Sequence, residues 1–236
     1  MALFVAAVPL FLLLSNVRIA TMEPRVYEYS FSRYGAVERS GIDRVQLDRA
    51  AREIVDYFGN DESLLATRVT VDGEEEALFN PRETLHMRDV KQLFRAVLRA
   101  HEIAFVYVVG YIATVFLWSR ERSMRRLARQ CIVAGAVTVA LLGAAAAAVL
   151  AGFDQLFRQF HLLSFANDFW LLNPRTDHLI QMFPQGFWFD VTIAVGAATI
   201  AEGALLALTG FGYLAWLDRR HRRALAVAPV ATGEGS

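Results

Sequence analysis

Residues 120–153 read RERSMRRLARQCIVAGAVTVALLGAAAAAVLAGF. A basic segment with five arginines and one glutamate runs straight into an apolar stretch, Cys131–Phe153. A helix needs about 20 mostly apolar residues to cross about 30 Å of hydrocarbon, and this stretch meets that length alone. Short basic flanks stay on the cytoplasmic side, so the span starts inside and ends outside. Three further apolar runs lie on either side of it. Val191–Leu217 is a full span, and Ile103–Trp118 becomes one by borrowing Val97–Glu102. Ala2–Leu14 extends weakly to Ala20 past Asn16 and Arg18. It lacks a basic leading region and a small-x-small cleavage site, so it reads as a retained helix, not a signal peptide.

Arg219, Arg220, Arg222 and Arg223 follow the last run. With both basic segments inside, four helices put both termini in the cytoplasm. The expected fold is mainly α and integral to the membrane, with four transmembrane helices and a small extracellular α+β cap. The spans are expected at 1–20, 101–119, 131–153 and 191–217, joined by a cytoplasmic loop at 120–130. The cap covers 21–100, a second extracellular loop covers 154–190, and a cytoplasmic tail covers 218–236. Net charge is zero, so no acidic or basic partner is implied overall. One lysine, Lys91, stands against 23 arginines, a compositional habit that does not read as a nucleic-acid patch. The single cysteine, Cys131, opens an apolar helix and makes neither an intrachain disulfide nor a good nucleophile.

The cap has local signals of its own. Ile42, Val45, Leu47, Ala50, Ile54 and Tyr57 or Phe58 recur at helical steps, and Gly59 closes that helix. Thr67–Val71 and Glu75–Phe79 flank Asp72-Gly73, a short hairpin signal. Asn80-Pro81-Arg82-Glu83 starts a helix, with Asn as N-cap, Pro first and Glu third. Nothing breaks that helix before about Arg120, so it runs from the cap into the membrane. Phe153–Phe165 reads as a further outer helix with Phe153, Leu156, Phe157, Phe160 and Leu163 on one side and His161 at its edge. Asn173-Pro174 caps a short helix through Met182. Ala144–Ala148 suits close helix packing, and 224–236 reads as a disordered tail.

Two clusters could carry chemistry. His86 and Asp89 lie three apart on one helix face, where Asp89 could orient the imidazole. Phe160–Asp177 gathers His161, Asn167, Asp168, Trp170 and Asp177 in a segment too polar for a mere connector. Asp168 and Asp177 also suit turn caps, Trp170 and Trp188 suit an interfacial belt, and His178 reads as a surface residue. Glu202 lies mid-span, about 18 Å below Asp190 at about 1.5 Å per residue, too deep for the same site. No His-Glu-x-x-His pair, Gly-x-Ser-x-Gly elbow or phosphate-cradling glycine loop occurs. A metal held by His86, Asp89, His161 and Asp168 stays open, as does a non-catalytic cap that binds lipid or a partner. What remains is acid–base work by imidazole at the outer leaflet.

His86-Met-Arg-Asp-Val-Lys91, Phe160-His161, Asn167-Asp168, Trp170, Pro174, the run Asp177–Pro184 and Phe187–Phe189 resemble the bacterial lipoprotein intramolecular transacylase family, Lit. Asn173 stands where many members have Asp. The resemblance implies four helices with an outer cap and no cofactor. It also implies transfer of the sn-2 acyl chain of a diacylglyceryl-cysteine lipoprotein to the α-amino group of the same cysteine. The family's catalytic histidines would be His86 and His161. On this reading Arg88, Asp89, Asn167, Asp168, Trp170 and Asp177 support catalysis or hold substrate, and no metal is used. The partners would be the diacylated lipoprotein and membrane lipids, with no nucleic acid.

Overall fold

The computed structural model describes residues 2–71, 73–118 and 121–227. Four long helices form a bundle: α1 (Ala2–Met22), α5 (Pro81–Leu117), α6 (Glu121–Ser164) and α8 (Gln185–Val227). Each is long and apolar enough to cross a membrane. α1 packs against α5, α6 and α8, and the most extensive contact is between α6 and α8. That contact depends on missing side chains. A Cβ on Gly203 would lie 2.8 Å from the Thr138 Cβ, and one on Gly135 would collide with the Gly203 carbonyl. Without a hydrophobic drive between helices in lipid, such close backbone approach supplies the packing energy.

Polar side chains lock α1 to its neighbours inside the bundle. Asn16 donates to Glu202 Oε2 at 2.8 Å and to Thr199 at 3.2 Å, while Ser15 pairs with His101 Nε2 at 3.0 Å. The mid-span carboxylate thus has a partner, as groups buried at that depth need. At the end away from the cap, Arg125 bridges Glu121 and Asp218, and His221 meets Glu121.

The cap contains α2 (Pro24–Arg33), α3 (Ala36–Ser40), α4 (Arg44–Gly59), β1 (Arg68–Val71), β2 (Glu74–Ala77) and α7 (His178–Met182). Tyr27, Phe31, Leu47, Ile54, Phe58, Met87, Phe94, Met182 and Phe187 share one hydrophobic core. The first turns of α5 are therefore part of the cap. Asp43 caps α4, and its carboxylate accepts from the Val45 and Gln46 N–H groups. β1 and β2 pair antiparallel, with Val71 opposite Glu74. Asp72, in the turn between them, lies outside the described residues, as does 228–236 of the expected tail.

Two expectations need correction, and a third holds. α2 and α3 occupy a stretch with no element expected. The outer helix expected from Phe153 is present, because Gly152 is non-helical and its kink divides α6 into two helical stretches, the second ending at Ser164. Pro174 begins a turn, and the short helix starts only at His178.

A buried histidine pair under the cap

The amino end of α5 sets one half of the site. Asn80 Oδ1 accepts from the N–H groups of Arg82 and Glu83, and Glu83 Oε2 accepts from the Asn80 N–H at 2.8 Å. This is a complete capping box with Pro81 at the first position. Glu83 Oε1 also accepts from the Leu179 N–H at 2.6 Å, which ties α5 to α7. The carboxyl group is 1% exposed, and burial raises its pKa above the ordinary value. His86 follows one turn later on the same face.

The carboxyl end of α6 sets the other half. His161 Nδ1 lies 2.7 Å from the Phe157 carbonyl. A carbonyl can only accept, so Nδ1 carries the hydrogen and the neutral ring keeps its lone pair on Nε2. The His86 and His161 ring centroids are 6.0 Å apart. Phe157, Phe160, Phe165 and Trp170 surround His161 at 4.4, 5.3, 5.7 and 5.1 Å. Phe165 also meets His86 edge-on at 5.2 Å. The inward stripe of α6 is therefore Phe153, Phe157 and His161. Leu156, Phe160 and Leu163, on the apolar side of the outer helix, are 41%, 49% and 86% exposed.

Both rings are buried, at 7% and 8% exposure. They also lie outside the apolar parts of their helices. Arg88, Lys91, Arg95 and Arg99 follow His86 before the apolar part of α5 begins, and Asp154 and Arg158 separate His161 from the apolar run of α6. Burial, with a smaller contribution from His161, lowers the His86 pKa to about 4. Burial also lowers the His161 pKa, partly opposed by the bond to Phe157. Both imidazoles are thus neutral near pH 7.

The other expected site residues divide into groups. Asp89 does not orient His86. Its Oδ2 accepts from Asn167 Nδ2 at 2.8 Å, and its Oδ1 lies 3.5 Å from Arg88 Nη2. His86 Nδ1 is buried with no hydrogen-bond partner among the described residues. Trp170 stacks near His161, and its indole N–H donates to the Asn167 carbonyl at 3.0 Å. The single indole donor of Trp170 is therefore engaged, and Asn167 Nδ2 gives one of its two hydrogens to Asp89. Arg88 differs, because its Nε, like that of Arg82, is buried without a partner among the described residues. Asp168 is at the rim, 73% exposed, with its side chain 3.5 Å from Arg82 Nη2 and its carbonyl 2.5 Å from the same group. At that exposure the ion pair contributes little. Asp177 is away from the rings. It accepts from Asn80 Nδ2, the Asn173 N–H and the Thr176 hydroxyl, bracing the loop against the cap of α5.

Two residues were not singled out as site members from sequence. Glu83 was legible as part of a capping box, but its bond to Leu179 depends on chain folding. Arg82 lies four residues before His86, and that spacing is the signal that could have placed both on the face meeting 165–170. His178, expected at the surface, is half-buried and donates to the Leu78 carbonyl at 2.6 Å. Lys91 is buried too, bonded to Asn60 and the Glu62 carbonyl over the Tyr57 ring. Among the described residues, no three His, Cys, Asp or Glu side chains come together as a metal site would require. His86, Asp89, His161 and Asp168 therefore do not form one.

Fold and site define a four-helix membrane protein that buries two neutral imidazoles beneath a small cap. A family model, "Lipoprotein intramolecular transacylase Lit", matches residues 2–188. The chain belongs to that family of membrane enzymes. Its fold is similar to a solved structure of the membrane integral lipoprotein intramolecular transacylase Lit from Bacillus cereus. The TM-score is 0.75 at 16% identity, covering 92% of this chain and 94% of that one. A form of the Bacillus protein with one histidine replaced by alanine is similar at TM-score 0.71 and 15% identity, covering 92% of each chain. An uncharacterized protein of Aquifex aeolicus (strain VF5) is 26% identical over 132 residues. That match spans 56% of each chain, so the chain covers about half the length of this curated relative.

Proposed function

We propose that this protein moves the sn-2 acyl chain of a diacylglyceryl-cysteine lipoprotein onto the α-amino group of the same cysteine. The observation that carries the reading is the pair itself: two buried imidazoles 6.0 Å apart, from separate elements, with His161 Nε2 free to take a proton.

The free amine attacks the ester carbonyl. Attack makes the nitrogen strongly acidic, so even an imidazole of lowered basicity can take its proton. His161 is the base. The intermediate collapses as its C–O bond breaks, and imidazolium His161 returns the proton to the glycerol oxygen. One N–C bond forms, one ester C–O bond breaks, and the proton passes from nitrogen to oxygen. No serine or cysteine nucleophile is required, because amine and ester share one molecule. Such proximity can lower the barrier by several kcal/mol, with about 7–11 kcal/mol the upper range.

His86, neutral and close by, orients the substrate through a ring nitrogen. Arg88 is the best candidate to stabilise the oxyanion, because its buried Nε has no partner among the described residues, whereas the Trp170 donor is spent and Asn167 Nδ2 is tied to Asp89. Asn167 and Trp170 shape the wall, while Asp89, Asp168 and Asp177 hold the loop and α5 in register. No cofactor takes part.

The arginines at the far end of α6 and α8 favour that end in the cytoplasm, with the cap and the histidines outside. There the site meets lipoproteins anchored in the outer leaflet. The test is a purified protein incubated with a synthetic diacylated lipopeptide. The product should keep the substrate's mass, while fragmentation finds one acyl chain on the amine. A mixture of substrates with differently labelled chains should give no crossed products. Release of free fatty acid, or no reaction, rejects the proposal.

A further inference from the structure

A groove of about 630 Å³ opens where α6 bends. Val149, Leu150 and Phe153 of α6, Phe189 of α8 and Tyr34 line it. Its walls change along α6. The side before the bend is aliphatic, whereas beyond it Gln185 Nε2 donates to Asp154 Oδ1 at 3.0 Å. A change from aliphatic to polar fits a hydrocarbon chain whose other end is polar.

From the groove a row of aromatic rings leads toward the histidines. Phe189 meets Phe153 edge-on at 5.3 Å, Phe153 meets Phe157 at 5.5 Å, and Phe157 meets His161 at 4.4 Å. Phe153, Phe157 and His161 are four residues apart on one face of α6. An unbroken row of rings thus joins the groove to the imidazole that bonds the Phe157 carbonyl.

We propose that this groove receives the methyl end of the acyl chain being transferred, with Phe153 and Phe157 guiding the chain from His161. The proposal rests on the transacylase reading above. From His161 back to Phe153, α6 rises about 12 Å at about 1.5 Å per residue. A hexadecanoyl chain with its ester at His161 reaches the groove, whereas an octanoyl chain ends beside the phenylalanines. The groove therefore selects for long sn-2 chains.

Two measurements test this. The first compares hexadecanoyl and octanoyl lipopeptides on Val149→Trp, which fills the groove. Its kcat/KM should fall about tenfold or more for the long chain and stay near the unsubstituted value for the short one. An effect that ignores chain length overturns the proposal if the variant is active. If it is inactive on both, the second measurement decides alone. It uses the unsubstituted protein and an N-acetylated lipopeptide, which lacks the nucleophilic amine, with a diazirine at the end of its sn-2 chain. Crosslinks should fall on residues 149–155 and Phe189 and be displaced by excess unlabelled lipopeptide. Crosslinks elsewhere, or equal labelling there by a diazirine on the sn-1 chain, overturn it. Failure of the unblocked peptide to undergo any acyl shift would instead reject the transacylase reading, and the crosslink map would show whether the groove still takes a chain.

Discussion

Replacing Glu83 by glutamine removes little volume but breaks a double attachment. The carboxylate accepts from Asn80 N–H at 2.8 Å and from Leu179 N–H at 2.6 Å, one bond to each oxygen. Glutamine has one acceptor oxygen, and its amide would turn an N–H toward the other backbone N–H. In a site 1% exposed, that donor loses its partner. The cost is about 1–3 kcal/mol for one buried unsatisfied group. For a chain of this size a 2 kcal/mol loss lowers Tm by about 4–8 °C, readable by tryptophan fluorescence in detergent. Because His86 is one turn away, a displacement of about 1 Å would lower acyl transfer by about 10²-fold. The pH dependence adds a second readout. Burial raises the folded pKa of Glu83, so the native state holds the proton to higher pH than the unfolded chain does. Its contribution to stability therefore declines as pH rises from the ordinary carboxylate value through the raised one. Glu83→Gln should lack that decline. Unchanged Tm would refute the structural argument, and lowered Tm with full activity would refute the link from Glu83 to His86.

Three other outcomes are expected. Below about pH 7.7–8.0 the substrate amine is protonated, so kcat/KM should fall about tenfold per unit. That slope should hold through pH 6.5, because both imidazoles lie below this ordinary value, His86 at about 4; a second unit of slope beginning at 6.5 would contradict their burial. Gly203→Leu should wedge α6 from α8, since its first carbon would lie 2.8 Å from Thr138, at a cost of at least about 1–3 kcal/mol. Gly143→Leu, whose Cβ would meet nothing within 4 Å among the described residues, should leave Tm unchanged. Arg88→Lys keeps the charge but removes the unpaired Nε–H, and kcat should drop by about 10²-fold with little change in KM; a full kcat would remove Arg88 from the oxyanion.

Much of the framework was legible because its signals are local. The spans announce themselves by apolar length, α5 by Asn80-Pro81-x-Glu83, and the hairpin by Asp72-Gly73 and its alternating flanks. The meeting of His86 with His161 followed from the resemblance and from both flanking the same ends of two spans, not from either residue alone. α2 was overlooked although Glu23-Pro24 and the spacing of Tyr27, Ser30 and Phe31 are helix signals; the turn pattern is short and its packing partners are Met182 and Phe183, far along the chain. The role of Asp89 was misread because residues three apart on a helix can meet, but Asn167 offers a donor from another segment. The inward face of α6 was not legible, because Leu156 and Leu163 are as apolar as the buried stripe. In a protein bordered by lipid, apolar character does not separate inside from outside.

The most direct measurement is a double-substitution cycle at His86 and His161, with the lipopeptide assay as readout. If the rings act as one unit, His86→Ala and His161→Ala each lower acyl transfer by about 10²–10⁴-fold. The protein carrying both should be no slower than the poorer single variant. Losses that multiply, or full activity in either well-folded single variant, would contradict a shared imidazole site.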